Sequence, residues 1–128
     1  MGKKKDPSEI ALETKPFVVE ETTHENTLRK NLEEIKNREG VIGYLLRNFT
    51  SATIEIKDPT KIIDYAVLSS SALELSEALS ELFNLGETHN IVVEGKEVKV
   101  LSFVIDENRI SIFAYKDVDF GKILKKLY

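Results

Sequence analysis

Two histidines, His24 and His89, are the side chains of this 128-residue chain that ordinarily titrate near neutral pH, and there is no cysteine. Acid–base catalysis would have to pass through one of them. Yet His24 falls at the start of an expected helix and His89 at the start of an expected strand, both common surface positions. Ser69-Ser70-Ser71 offers hydroxyls, but an attacking serine needs a positioned base and a sharp strand-to-helix turn, and this run lies inside a helical segment. Asp106-Glu107-Asn108 would attract a cation, although three polar residues at a hairpin tip also do no more than turn the chain. The sequence holds no GxxxxGK[ST] loop, no GxGxxG loop and no Cys or His pair at metal-ligand spacing. No catalytic residue, metal ligand or cofactor site is therefore assigned, and function is sought in surfaces.

Composition narrows those surfaces. The length suits one domain with a moderate core. Net charge is −4, which disfavours generic binding to nucleic-acid phosphates. Lys3-Lys4-Lys5 is followed by no apolar run, so neither a secretory signal nor a membrane span is expected, and Asp6 spoils a myristoylation motif. Cytoplasm is the default location. Charged residues make up 31%, with abundant Lys, Glu and Ile and no Gln, a composition that points to a thermophile.

The elements follow from periodicity. Residues 1–21, with Pro7 and Pro16 and no sustained period, read as a flexible extension, in which Phe17-Val18-Val19 could dock as a short strand. The single domain is placed at 22–128. Thr22 and Glu25 have capping-box spacing, and Leu28, Leu32 and Ile35 continue a helix to near Gly40. Val41 to Arg47 is a doubly apolar strand containing Gly43. Ala52 to Lys57 alternates, with Ile54 and Ile56 on one face, as an edge strand does.

The most informative segment is 58–86. Asp58 and Pro59 open a helix and Gly86 suits a left-handed exit. At 100° per residue its second half places Leu68, Ala72, Leu75, Leu79, Leu82 and Phe83 on one stripe, opposed by Glu74, Glu77, Ser80, Glu81 and Asn84. In the first half Ile62, Ile63, Ala66, Val67 and Leu73 point elsewhere and form a second apolar face. The small residues 69–72, Ser70 among them, would let another backbone approach. Symmetric pairing with a second copy across this surface and burial within one subunit both account for it.

His89 to Val93 reads as a third strand, Glu94-Gly95 as a tight turn with positive φ at the glycine, and Val98 to Ile105 and Arg109 to Tyr115 as two more strands. Phe120, Ile123, Leu124 and Leu127 line one side of a final helix. The fold class is α/β, a three-layer sandwich of order α-β-β-α-β-β-β-α. Its five-stranded, mostly antiparallel sheet carries the long helix on one face and the terminal helices on the other.

This order is similar to that of the dynein light-chain Roadblock family, within a broader profilin-like arrangement. The likeness is carried by Gly40-Val41-Ile42-Gly43 opening the first strand and by the Ala/Ser/Leu-rich helix from Asp58 through Leu85. Ile91-Val92-Val93-Glu94-Gly95 before a hairpin and Asp119-Phe120-Gly121-Lys122-Ile123-Leu124 opening the last helix complete it. The chain departs from the family at Asn48-Phe49-Thr50-Ser51, where an Asp-Gly type turn is usual, which bears on the loop and not the fold. The resemblance implies a homodimer with antiparallel long helices and third strands paired edge to edge. The interface residues would be Ile62, Ile63, Ala66, Val67, Ser70, Leu73, Asn90 and Val92. It also implies a non-enzymatic adaptor or regulator of a small Ras-like GTPase, or a scaffold, with Glu74, Glu77 and Glu81 framing the partner surface or forming a solvated helix face. The alternative is a small-molecule sensor, which a cavity beneath Tyr65 or Phe83 would favour.

Overall fold

Strands apolar on both faces need cover on both faces, and the fold supplies it with helices above and below one sheet. The computed structural model describes residues 15–88 and 90–127, with side chains from Glu25 onward. The elements are α1 (Lys15–Lys36), β1 (Val41–Arg47), β2 (Ala52–Ile56), α2 (Ile62–Leu82), β3 (Asn90–Glu94), β4 (Val98–Ile105), β5 (Asn108–Tyr115) and α3 (Phe120–Leu127). The strand order is β2-β1-β5-β4-β3, and every neighbouring pair is antiparallel. β2 is an edge strand as its alternation predicts, and β3 is the other edge.

Two cores lie on opposite faces of the sheet. On one, Leu32 and Ile35 of α1 and Phe120 and Ile123 of α3 pack against Tyr44, Leu46, Leu101, Phe103, Ile110 and Ile112. Lys126 joins the two helices through Glu34 at 2.8 Å, and that ion pair holds the Glu34 carboxyl below its usual range. On the other face Ile62, Tyr65, Leu68 and Ala72 of α2 cover Ile42, Ile56, Val100 and Phe113.

Several local expectations are corrected. α1 begins at Lys15, so Thr22 lies within the helix, and Phe17-Val18-Val19, read as part of an extension that could dock as a short strand, is helical. Pro16 does not interrupt it, because a proline in the first turn sacrifices no intrahelical bond. Residues 1–14 of the expected extension lie outside the described residues. Asp58 caps a single 3-10 turn, Pro59–Lys61, and accepts from Thr60 N at 3.1 Å and Thr60 Oγ1 at 2.7 Å; the α-helix proper starts at Ile62. Its left-handed exit is at Asn84, φ 54°, before Gly86, φ 78°. Leu85 N reaches Ser80 O at 3.0 Å and Asn84 N reaches Glu81 O at 3.4 Å, the pairing of a Schellman motif. The β3–β4 turn closes through Gly95 N and Val98 O at 2.8 Å without positive φ at Gly95. That conformation appears instead at Asp106, φ 54°, in the β4–β5 turn.

The unusual β1–β2 turn is held by one side chain. Asn48 Oδ1 accepts from Thr50 N and Ser51 N, each at 3.0 Å, while its Nδ2 donates to Glu25 of α1 at 2.9 Å. Gly43 serves a steric purpose, since a Cβ there would lie 2.1 Å from the Glu55 carbonyl oxygen and 2.8 Å from Ile56 Cα. Gly43→Ala is expected to force β2 away from β1 and to cost roughly 2–3 kcal/mol, read as a lower midpoint in urea unfolding. Tyr44 is buried and donates to Glu33 Oε2 at 2.6 Å; burial first, then that bond, raises its pKa well above the ordinary phenol value. The folded state thus favours the protonated phenol, and its contribution is complete below about pH 10 and declines as pH rises from there toward the raised folded value. Tyr44→Phe should flatten the alkaline loss of stability, measured by unfolding midpoints across that range.

Candidate functional site

α2 leaves one edge of the sheet, β2, and must deliver the chain to the opposite edge, β3. Five strands are about 19 Å across between outer axes, whereas this helix is about 31 Å long. It therefore outruns the sheet. Leu82 and Phe83 at its far end are 75% and 63% exposed, although they were expected on a buried stripe. Leu75, also expected inside, is about half exposed.

The inward face of α2 is centred on serines. Ser69 and Ser76 are buried beside Ala72 and Leu73. Ser69 Oγ meets Ser111 Oγ of β5 at 2.5 Å, Ser111 Oγ meets Ser102 Oγ of β4 at 2.7 Å, and Ser76 Oγ meets Thr88 Oγ1 at 2.8 Å. Among the described residues no buried side-chain polar atom lacks a partner. The hydroxyls answer one another, which lets small polar residues occupy the middle of a core. The small run thus brings the helix onto its own sheet: Ser69 faces the strands, Ser70 is half-buried and Ser71 exposed.

This rotation redistributes the expected pairing surface. Ile63 and Val67 point outward, 76% and 60% exposed, with half-buried Ala66 and Ser70 beside them. Leu73 is buried and Ile62 packs into the core under α2, so both belong to the subunit's own interior and have little left to offer a second copy. Glu74, Glu77 and Glu81 are exposed on the same outer side as Ile63 and Val67. On β3, Asn90 and Val92 are exposed and Ile91 and Val93 face α2. The outer backbone edge of β3 has no neighbouring strand among the described residues.

The other edge differs. Over β2, Arg29 of α1 donates to Thr53 Oγ1 at 2.7 Å and Lys36 to Glu55 at 3.3 Å, tying the strand to the helix. Tyr65 lies against Phe113 with ring centroids 4.8 Å apart, so the space beneath it is filled. His89 lies outside the described residues, as does the side chain of His24. Among the described residues no cluster of His, Asp or Glu is arranged for a metal ion, and no helix is long and apolar enough to cross a membrane.

A five-stranded antiparallel sheet carrying one long helix on one face and the terminal helices on the other defines a small α/β platform domain. More narrowly, it is the Roadblock/LC7-type fold. A Roadblock/LC7 domain from Streptomyces avermitilis superposes with TM-score 0.59 at 13% identity, covering 78% of this chain and 84% of that one. The gliding protein MglB from Thermus thermophilus gives 0.57 at 15% identity, covering 79% and 80%, and MglC from Myxococcus xanthus gives 0.52 at 18%, covering 79% and 90%. No protein-family model matches the sequence, and no curated protein does.

Ser111→Ala removes the hydroxyl that Ser69 and Ser102 share. It should cost roughly 1–3 kcal/mol in urea unfolding, while Ser71→Ala on the exposed side should be neutral.

Proposed function

We propose that the chain is a non-enzymatic homodimeric adaptor that binds a small Ras-like GTPase or holds a protein complex together. The observation that carries this reading is an exposed apolar strip, Ile63 and Val67, on a helix whose opposite side is already packed, combined with a β3 edge that has no neighbouring strand among the described residues. A soluble chain gains by covering such a strip, and an uncapped edge gains by pairing. A second copy does both at once through a two-fold axis. The fold likeness to MglB, one structure of which is described in a tetrameric arrangement, and to MglC supports a platform that works by association. The GTPase follows from the family resemblance of the sequence, and Glu74, Glu77 and Glu81 supply an acidic rim to steer a basic partner.

Light scattering should report a dimer. Val67→Asp should give a monomer with unchanged circular dichroism, because Val67 is exposed in the single subunit and the new charge is desolvated only at the seam. Leu73→Arg would instead disrupt the fold. Affinity capture from native extract should recover a Ras-like GTPase with the wild type, and the combined Glu74→Lys, Glu77→Lys and Glu81→Lys variant should lose it. A monomeric wild type would refute the pairing, and capture without any GTPase would refute the partner.

A further inference from the structure

Arg47 of β1 and Arg109 of β5 stand directly opposite one another in register. Their face follows from the alternation of the strands. Ser111, two residues from Arg109, bonds Ser69 of α2, and Leu45, two residues from Arg47, packs in the core beneath α2, so both guanidinium groups lie on the α2 side of the sheet. They lie beyond the helix. Arg47 is half-buried, Arg109 is exposed, and among the described residues neither forms an ion pair within 4.0 Å. Like charges directly opposite on adjacent strands destabilise a sheet unless an anion lies between them.

The surroundings specify the anion. Arg109 pairs across to Val104, which is 45% exposed, and Phe49 at the neighbouring hairpin tip is 87% exposed. Arg109 and Val104 line two adjoining cavities. One, of about 430 Å³, includes Arg47, Phe49, Asp106 and Glu107; the other, of about 440 Å³, passes under the C-terminal half of α2 beside Glu77, Glu81 and Glu87. Together they form one groove with cations at its centre and carboxylates toward both ends. A polyanion such as nucleic acid, a nucleoside triphosphate or an acidic lipid surface would be repelled by those carboxylates. A single carboxylate flanked by apolar side chains meets far less of that repulsion, and a guanidinium pair offers it bidentate hydrogen bonds.

We propose that this groove docks an extended segment of a partner protein. A Glu or Asp of that segment would sit between Arg47 and Arg109, an apolar neighbour on Val104 or Phe49, and a Lys or Arg near Glu77 and Glu81. The groove shares Glu77 and Glu81 with the acidic rim and reaches Asn90 of the β3 edge, while the cavity that holds Arg47 and Arg109 is lined by neither Ile63 nor Val67.

The probe is a fluorescein-labelled Leu-Glu-Leu-Glu-Leu-Lys peptide, compared with the same peptide carrying Gln for Glu, added to the full chain. Polarisation should show binding of the Glu peptide and at least roughly tenfold weaker binding of the Gln peptide, as expected for a lost charge-assisted hydrogen bond. Amide resonances of Arg47, Val104 and Arg109 should shift, those of Ile63 and Val67 should not. Arg47→Gln and Arg109→Gln should each abolish binding while raising the thermal midpoint, because each relieves the like-charge contact. The midpoint also shows that these variants fold. No binding at millimolar peptide, equal affinity for the Gln peptide, tighter binding of inorganic phosphate or of phosphatidylserine vesicles, or retained binding by either variant would each overturn the proposal.

Discussion

One connection governs this molecule: the chain must travel from the β2 edge of its sheet to the β3 edge, and a single helix makes the journey. A helix that runs from one edge to the other covers most of one face with a single element and leaves Arg47, Val104 and Arg109 beyond it. Because it is longer than the sheet is wide, it cannot be buried along its length. Its middle is fixed by serine hydroxyls and its outer side and far end are left to solvent. The surfaces to which function is assigned are what remains after that crossing.

The layer architecture was legible because the hydrophobic pattern declares it. Val41 to Leu46 and Val98 to Ile105 are apolar on both faces, and only a covered sheet accommodates such strands. Phe120, Ile123, Leu124 and Leu127 likewise reveal the inward side of α3. The rotation of α2 was not legible in the same way. A moment built from apolar residues places the buried stripe near Leu75 and Leu82. The actual centre lies near Ser69, Ala72 and Ser76, and the two serines find their hydroxyl partners on β5 and in the loop before β3. Periodicity cannot anticipate a hydrogen bond across 42 residues.

The start of α1 was misplaced for a related reason. Thr22 and Glu25 satisfy a capping rule, and Pro16 resembles an interruption, but a proline in the opening turn is compatible with helix and the rule does not forbid a turn further upstream. The cation pair at Arg47 and Arg109 was hidden because the residues are 62 apart in sequence and meet only through strand register. The one cue present was that both follow or precede a strongly apolar strand run beside a hairpin, which by itself places no charge next to another.

The two rims of the sheet are not equivalent. β2 is tied to α1 through Thr53 and Glu55, while β3 presents Asn90, Val92 and Glu94 as exposed residues. Those bonds hold one face of β2 and leave its outer backbone edge without a neighbouring strand among the described residues, as at β3, so a further strand could add at either border. What blunts both borders against runaway stacking is their shortness, five residues in β2 and five in β3.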